Sequence, residues 1–192
     1  MTTKTLDAAY FEEVYAESED PWAFASSSYE REKYASTIAL LGTRRYPAAF
    51  EIGCSIGILS ADLATRCDSL LAVDINARAL DAARSHNAPL PNVTFEQMSV
   101  PRDFPEHHFD LIVVSEVAYY WSDADLALAR ERIARAAAGG VVSLVHFLPR
   151  VPDYVRDGDA VHDFFLADPR FRVCSSKRAE RYRIDVCAIV SE

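Results

Sequence analysis

Two glycines and one acidic residue stand at the spacing that nucleoside binding requires. Gly53 and Gly57 enclose a short turn between a predicted strand and a predicted helix, and Asp74 ends the next predicted strand. A glycine turn lets a ligand approach the backbone at the N-terminus of the following helix. A carboxylate about 20 residues further on commonly binds the hydroxyl groups of a ribose. The pattern therefore predicts a nucleoside site, with glycines that only pack a helix on a strand as the alternative.

The turn lacks the full dinucleotide fingerprint. Ser55 stands where G-x-G-x-x-G has its middle glycine, and residues 59–61 supply no third glycine, so a ligand smaller than NAD is favoured. The same residues also fit the G-x-S-x-G nucleophile elbow of serine hydrolases. That fold places several strands before the elbow, whereas only about 50 residues precede it here and no His-Gly-Gly segment is present. A hydrolase is the weaker of the two interpretations.

Titratable and aromatic side chains follow the predicted strands at the edge where open α/β sheets bind ligands. Glu116 and Tyr119 follow the fourth strand, and His146 ends the fifth. Asp159 and His162 are three residues apart on a short predicted helix, so they could share one face. A carboxylate or imidazole at this edge can accept or orient a proton. These five residues are the catalytic candidates, while hydrogen-bonded core residues or a solvated helix face are the structural alternatives.

The elements that must position these residues alternate along the chain. Predicted strands cover residues 48–52, 69–73, 94–98, 109–115, 141–148, 171–175 and 182–190, and predicted helices cover 26–44, 59–65, 77–85, 123–138 and 159–166. This order predicts an α/β fold, namely a Rossmann-like, doubly wound, mostly parallel seven-stranded sheet with an antiparallel C-terminal hairpin. We expect a single domain over 1–192, with a helical N-terminal lid segment over 1–45 and the core over 46–192.

The composition excludes several classes of protein. Of 192 residues, 50% are hydrophobic, and 20 Lys and Arg face 29 Asp and Glu, for a net charge of −9. The apolar content is enough for a substantial core. The negative charge argues against nucleic acid and anionic membranes as partners. No apolar run approaches the roughly 20 residues of a transmembrane helix and no signal peptide is recognisable, so we expect a cytoplasmic protein.

The cysteines and histidines form no recognisable metal motif. The cysteines are Cys54, Cys67, Cys174 and Cys187. Their separations match no CxxC zinc pattern, so we expect reduced thiols and no metal site. Two alternatives stay open: a contact between Cys174 and Cys187 across the terminal hairpin, and a divalent-cation site among the aspartates near His162.

Three segments together resemble the successive motifs of class I S-adenosylmethionine (SAM) methyltransferases. They are residues 51–57 (EIGCSIG), 73–74 (VD) and 109–116 (FDLIVVSE). Within that class, residues 18–145 resemble most the nodulation protein S group, N-methyltransferases that act on a glucosamine amine of chitooligosaccharides. The shared pattern includes residues 20–22 (DPW) and 29–31 (YER). The resemblance implies SAM as the cofactor and a small-molecule or saccharide acceptor.

The resemblance also implies roles for individual residues. The turn would line the methionyl and ribose side of SAM, Asp74 would bind the ribose hydroxyls, Ile75 would pack on the adenine, and Glu51 would hold the ammonium group. Where the family commonly has an acidic adenine ligand after strand three, this chain has residues 98–100 (MSV). The cofactor-binding residues so implied are Trp22, Tyr29, Glu51, Gly53, Cys54, Ser55, Gly57, Asp74, Ile75, Met98, Ser99, Val100, Ser115 and Glu116.

We therefore expect an enzyme that N-methylates an amine on an amino sugar or a saccharide-bearing metabolite. An amine acceptor attacks as the free base, so a nearby carboxylate or imidazole could accept its proton or orient it. An O-methyltransferase on a small acid or phenol and a non-catalytic SAM-binding module remain open. Neither the identity of the acceptor nor the choice between monomer and dimer follows from the sequence.

Overall fold

The computed structural model describes residues 4–190 and confirms the α/β fold. The strands are β1 (Tyr46–Ile52), β2 (Cys67–Asp74), β3 (Val93–Gln97), β4 (Leu111–Ser115), β5 (Val141–Phe147), β6 (Phe171–Arg178) and β7 (Tyr182–Ile189). Within the described residues these seven strands form one sheet in the order β3-β2-β1-β4-β5-β7-β6. Strands β1 to β5 pair in parallel, whereas β7 is antiparallel to both β5 and β6. The predicted C-terminal hairpin is therefore confirmed.

Helices cover both faces of this sheet. They are α1 (Ala8–Glu17), α2 (Ser28–Leu40), α3 (Ile58–Ala64), α4 (Ala77–His86), α5 (Asp123–Ala136) and α6 (Gly158–Leu166), and a 3₁₀ turn at Ala118–Tyr120 follows β4. The side chains of Ser27, Asn76, Ser122 and Asp157 each accept a backbone N–H of the helix that they precede, which is a common way to fix a helix start. Among residues 4–190, no helix has the length and apolar character needed to cross a membrane.

The core lies on both sides of the central strands. All five residues of β4 are buried. Because side chains alternate along a strand, Ile112 packs in one apolar cluster with Leu126 of α5, and Leu111 packs in the other with Leu63 of α3. This double coverage is typical of parallel strands. It fixes the carboxyl ends of β1, β2, β4 and β5 at one common edge.

Two local details differ from the sequence pattern or settle an alternative that it left open. The helix predicted over 26–44 ends at Leu40, because Gly42 adopts a φ of 74° that helical backbone cannot have. In the hairpin, a bulge lies between Val173 and Ser175, so Val173 and not Cys174 is paired with Cys187. Cys174 is exposed, Cys187 is buried, and both thiols are free.

Candidate functional site

A cavity of about 490 Å³ lies at the carboxyl edge of the parallel strands. Its walls come from the ends of β1, β2, β4 and β5 and from the chain that precedes β1. This size suits a nucleoside-sized ligand together with a second small molecule. The predicted site residues that line it are Trp22, Tyr29, Gly53, Ser55, Asp74, Ile75, Met98, Ser99, Val100, Glu116 and Tyr119.

Four predicted cofactor-binding residues do not line this cavity. Glu51, Cys54 and Ser115 line a much smaller adjoining pocket, which shares the turn residue Gly53 with the main cavity. Gly57 lines neither space, but it is sterically required: a Cβ there would lie 2.6 Å from Asn87 Nδ2. The main cavity is thus bordered by the first half of the glycine turn.

The turn is held in place by Asp74 at the end of β2. Asp74 Oδ2 accepts the backbone N–H of Ser55, and Oδ1 accepts that of Asn76, each at 2.9 Å. Burial raises the pKa of this carboxyl, while these N–H groups act in the opposite direction. A carboxylate has about four lone-pair sites. Asp74 can therefore bind a pair of vicinal hydroxyls while it still holds the turn.

Ser55 lies in a strained part of the turn. Its φ of 48° is in the left-handed region, which residues other than glycine rarely adopt and which is often found at functional sites. The Oγ of Ser55 lies 2.5 Å from the hydroxyl of Tyr15 on α1. A serine nucleophile needs a basic partner, and a tyrosine hydroxyl is not one at neutral pH. The contact therefore argues against the hydrolase interpretation.

The chain before β1 forms a further wall of the cavity. It is fastened to the core by a hydrogen bond from Leu6 N to Tyr120 O of 3.0 Å. The aromatic rings of Tyr15 and Trp22 pack edge to face, and those of Trp22 and Phe24 stack, each with centroids 5.5 Å apart. All of these residues line the cavity, so this segment lies where the sequence-based prediction puts a lid.

A buried lysine organises the opposite end of the cavity. Lys33 of α2 is 1% exposed, and its Nζ lies 2.6 Å from Glu116 Oε1 and 2.7 Å from Glu30 Oε2. Burial lowers the pKa of Lys33, but the charges of Glu116 and Glu30 outweigh it and raise the pKa to about 12. Burial also raises the pKa of Glu30, while the positive charge of Lys33 acts to lower it. Two carboxylates around one ammonium leave this end of the cavity negatively charged.

Glu116 is fixed by contacts on both carboxylate oxygens. Oε2 accepts the hydroxyl of Tyr119 and, at 3.1 Å, the backbone N–H of Phe147, while Oε1 accepts Lys33 Nζ. Its φ of 56° is again in the left-handed region. Strained backbone of this kind is maintained only where the surrounding contacts over-determine it. One lone pair of Oε1 is left for a further donor.

The two histidine candidates lie behind this site and not in it. His146 and His162 are both fully buried, and neither lines the cavity. His146 Nε2 accepts the N–H of Ala118 at 3.3 Å, so its Nδ1 donates to His162 Nε2 at 3.2 Å, and His162 Nδ1 donates to Asp185 at 2.7 Å. Burial lowers the pKa of both imidazoles. These hydrogen bonds between two uncharged imidazoles support the 3₁₀ turn that carries Tyr119.

Asp159 is also separated from the cavity. It forms ion pairs with Arg178 and, at 3.2 Å, with Arg183. The hydrogen bond from Arg178 lowers the pKa of Asp159 to about 2. Across residues 4–190, no group of three or more potential metal-ligating side chains is clustered to hold an ion. Asp159 contacts Arg178 and Arg183, whereas His162 contacts Asp185, so the two side chains do not face a common site.

Many cavity residues have no role in the sequence-based prediction. Those that make the polar and aromatic contacts described here include Tyr15, Glu30, Lys33, Phe147 and Arg181. Two of these, Glu30 and Lys33, come from one helix. A partial signal exists for two of them, because Glu30 and Lys33 are three residues apart in a predicted helix and so share a face. The other contacts join distant parts of the chain and have no local pattern.

We expect the substitution Glu51→Gln to stabilise the protein at pH 8 by about 2 kcal/mol and to have little effect near pH 4.5. Burial raises the pKa of Glu51 from 4.5 to about 7, although Ser60 Oγ donates to it at 2.6 Å. A raised folded-state pKa means that stability is lost as the pH rises through this window, by about 1.4 kcal/mol per unit. Glutamine does not ionise, so the variant does not lose stability as the pH rises, although its amide oxygen accepts a weaker hydrogen bond from Ser60.

Urea unfolding at both pH values measures this effect. Glu96→Gln, on the exposed side of β3, is the matched control and should change stability by less than about 0.5 kcal/mol. An equal effect of Glu51→Gln at both pH values would contradict a buried carboxyl that titrates near neutrality.

Comparison with known proteins places the chain in a family. The model of the nodulation protein S (NodS) family matches residues 11–146, which is more than half of the chain. The chain belongs to the NodS family. NodS of Rhizobium tropici is 31% identical over 125 residues, which are 64% of this chain and 52% of that protein. NodS of Bradyrhizobium diazoefficiens is 32% identical over 108 residues, 55% of this chain and 51% of that protein.

A solved NodS structure confirms the fold. The N-methyltransferase NodS from Bradyrhizobium japonicum WM9, in complex with S-adenosyl-L-homocysteine (SAH), superposes with a TM-score of 0.84 at 21% identity. The match covers 96% of this chain and 98% of that chain. By sequence, the chain spans about half the length of the curated NodS relatives that it matches.

Proposed function

We propose that this chain is a SAM-dependent methyltransferase. The observation that carries the proposal is Asp74 at the end of β2, whose carboxylate lines the cavity beside the glycine turn and retains lone pairs for two hydroxyls. Membership of the NodS family supports the same activity. When bound, SAM supplies an activated methyl group. The chain's own residues then have to bind SAM and the methyl acceptor, align them and exclude water from the space between them.

The residues at the β1 and β2 ends suit the nucleoside. Asp74 would accept the ribose hydroxyls. Ile75, Met98 and Val100 line the cavity with apolar surface that suits an adenine ring. Ser99 lines the same wall, and its hydroxyl oxygen would accept an adenine amino group in place of the carboxylate that the family commonly has there.

The acceptor end suits an amine. Among residues 4–190, the carboxylates of Glu30 and Glu116 share a single ammonium, that of Lys33, so a further N–H donor can be accommodated. Glu30 is the carboxylate whose pKa is raised by burial, and a raised pKa makes it a better acceptor for the proton that an ammonium must lose before it attacks. Glu116, held by Lys33, Tyr119 and Phe147, would orient the amine.

We further propose that the amine belongs to an amino sugar or a saccharide-bearing metabolite. The rings of Tyr29, Tyr119 and Phe147 border the acceptor end, and aromatic rings at a concave site suit the apolar faces of sugars. The likeness to the N-methyltransferase NodS supports an amine rather than a hydroxyl as the reacting group.

Two measurements test these proposals in sequence. Calorimetric titration with SAH tests the cofactor, and failure of SAH to bind would contradict the methyltransferase proposal. Incubation with methyl-labelled SAM and either glucosamine or N-acetylglucosamine then tests the acceptor. We expect label on glucosamine alone, since acetylation removes the basic amine. Equal labelling of both sugars, or labelling only of phenols or carboxylic acids, would favour the O-methyltransferase alternative.

A further inference from the structure

Arg181 places a positive charge at the rim of the cavity. It lies between β6 and β7, is exposed, and lines the cavity. Because β7 is antiparallel to β5, with Tyr182 opposite Phe147, this turn lies at the carboxyl end of β5. The backbone is fixed, since Arg181 O accepts Leu148 N at 2.9 Å and the hydroxyl of Tyr29 at 3.2 Å.

The guanidinium of Arg181 rests on two aromatic rings. Its Cζ lies 4.4 Å from the ring centroid of Tyr29 and 5.3 Å from that of Phe147. In the described part of the chain no carboxylate forms an ion pair with it, whereas Arg178 and Arg183 on either side both pair with Asp159. A stacked guanidinium keeps its N–H edge free for bidentate binding of a planar or tetrahedral anion.

The carboxylate of Glu116 and the Arg181 cation both contact Phe147. Lys33 Nζ lies 5.1 Å from the same Tyr29 ring, and the backbone N–H of Phe147 donates to Glu116 at 3.1 Å. Glu30, Glu116 and Arg181 all line this one cavity. A ligand that satisfies both ends has an amine at one end and an anionic group a few bonds away.

We propose that Arg181 is an acceptor-binding residue that recognises an anionic group, a phosphate or a carboxylate, on the molecule whose amine is methylated. This inference rests on the proposed function and narrows its substrate class from amines to amines that also carry an acidic group. It accounts for a cation at the cavity rim that has no carboxylate partner among residues 4–190, in a protein whose net charge is −9.

Titration of the SAH-saturated protein with matched probes tests this proposal without requiring turnover. Glucosamine 6-phosphate is compared with glucosamine, and β-alanine with propylamine, so that the two pairs distinguish phosphate from carboxylate. We expect at least one probe that carries the acidic group to bind tenfold or more tightly than its partner that lacks it. Arg181→Gln should reduce that ratio to less than about threefold, and Arg181→Lys should retain part of it.

The controls separate this inference from the broader one. Arg172→Gln removes an equal charge from the exposed face of β6, away from the cavity, and should leave the ratio unchanged. Absence of any preference for an anionic probe, or a preference that persists in Arg181→Gln, would overturn the role of Arg181. SAH binding would still stand in that case, whereas loss of SAH binding in the wild type would instead remove the proposed function.

Discussion

Replacing Asp74 with alanine is expected to weaken SAH binding at least about a hundredfold, which corresponds to about 2.8 kcal/mol. The variant loses the acceptor for the ribose hydroxyls, and hydrogen bonds to a charged group contribute about 1.5–3 kcal/mol each. It also releases the backbone N–H groups of Ser55 and Asn76, which the carboxylate holds at 2.9 Å. Both effects act on the same ligand, so the loss should exceed that of a single contact. Isothermal titration with SAH measures it.

The control for this variant is on the same strand. Asp68 of β2 is 61% exposed and pairs on the surface with Arg45, so Asp68→Ala should leave SAH affinity unchanged. Asp74→Asn keeps the size and one acceptor oxygen and should bind with intermediate affinity. If Asp74→Ala bound SAH as the wild type does, the assignment of this carboxylate to the ribose would be wrong.

Replacing Lys33 with methionine is expected to destabilise the fold by about 3–5 kcal/mol, because it leaves two buried carboxylates without their counter-ion. For a chain of this size the midpoint of thermal unfolding should fall by roughly 10 °C or more. Burial already raises the pKa of Glu30, and the variant removes the opposing charge of Lys33. The loss of stability should therefore be largest at neutral pH and shrink as the pH falls towards 4.5, where Glu30 takes up a proton in both the folded and the unfolded state.

Two further variants isolate the cause. Lys177→Met removes a lysine that is 40% exposed and lies 3.7 Å from Glu32, and such surface pairs contribute less than about 1 kcal/mol. Lys33→Met combined with Glu116→Gln should recover part of the lost stability, since one buried charge is then absent. A stability of Lys33→Met within about 0.5 kcal/mol of the wild type would show that the ion pairs do not support the site.

Most of the fold follows from local patterns in the sequence. The strand predicted over 109–115 is found at Leu111–Ser115, and the helix predicted over 77–85 is found at Ala77–His86. Both are fixed by continuous apolar runs, by turn residues and by helix caps, which act over a few residues. For the same reason, the order of strands and helices is enough to predict the sheet and its antiparallel hairpin.

The polar contacts of the site could not be predicted in this way. Lys33 lies beside the apolar stripe of its helix, and its partner Glu116 is 83 residues away in the chain. The sequence predicts His146 near the end of β5, where the structure has it, but its burial depends on contacts with α6 and the 3₁₀ turn. Asp159 and His162 look equivalent on a helix three residues apart. In α6, however, His162 contacts Asp185, whereas Asp159 contacts Arg178. Such pairings depend on tertiary packing.

The reversal of β7 in the sheet places two parts of the cavity wall on segments that differ in their tolerance to sequence change. One end of the cavity is built from the ends of buried parallel strands, whereas the rim at Arg181 is a short exposed connection between the edge strand β6 and its neighbour β7. Exposed connections tolerate exchange and insertion at little thermodynamic cost. Diversification of this scaffold can therefore proceed by exchanging that connection, while the part of the cavity built by the parallel strands stays unchanged.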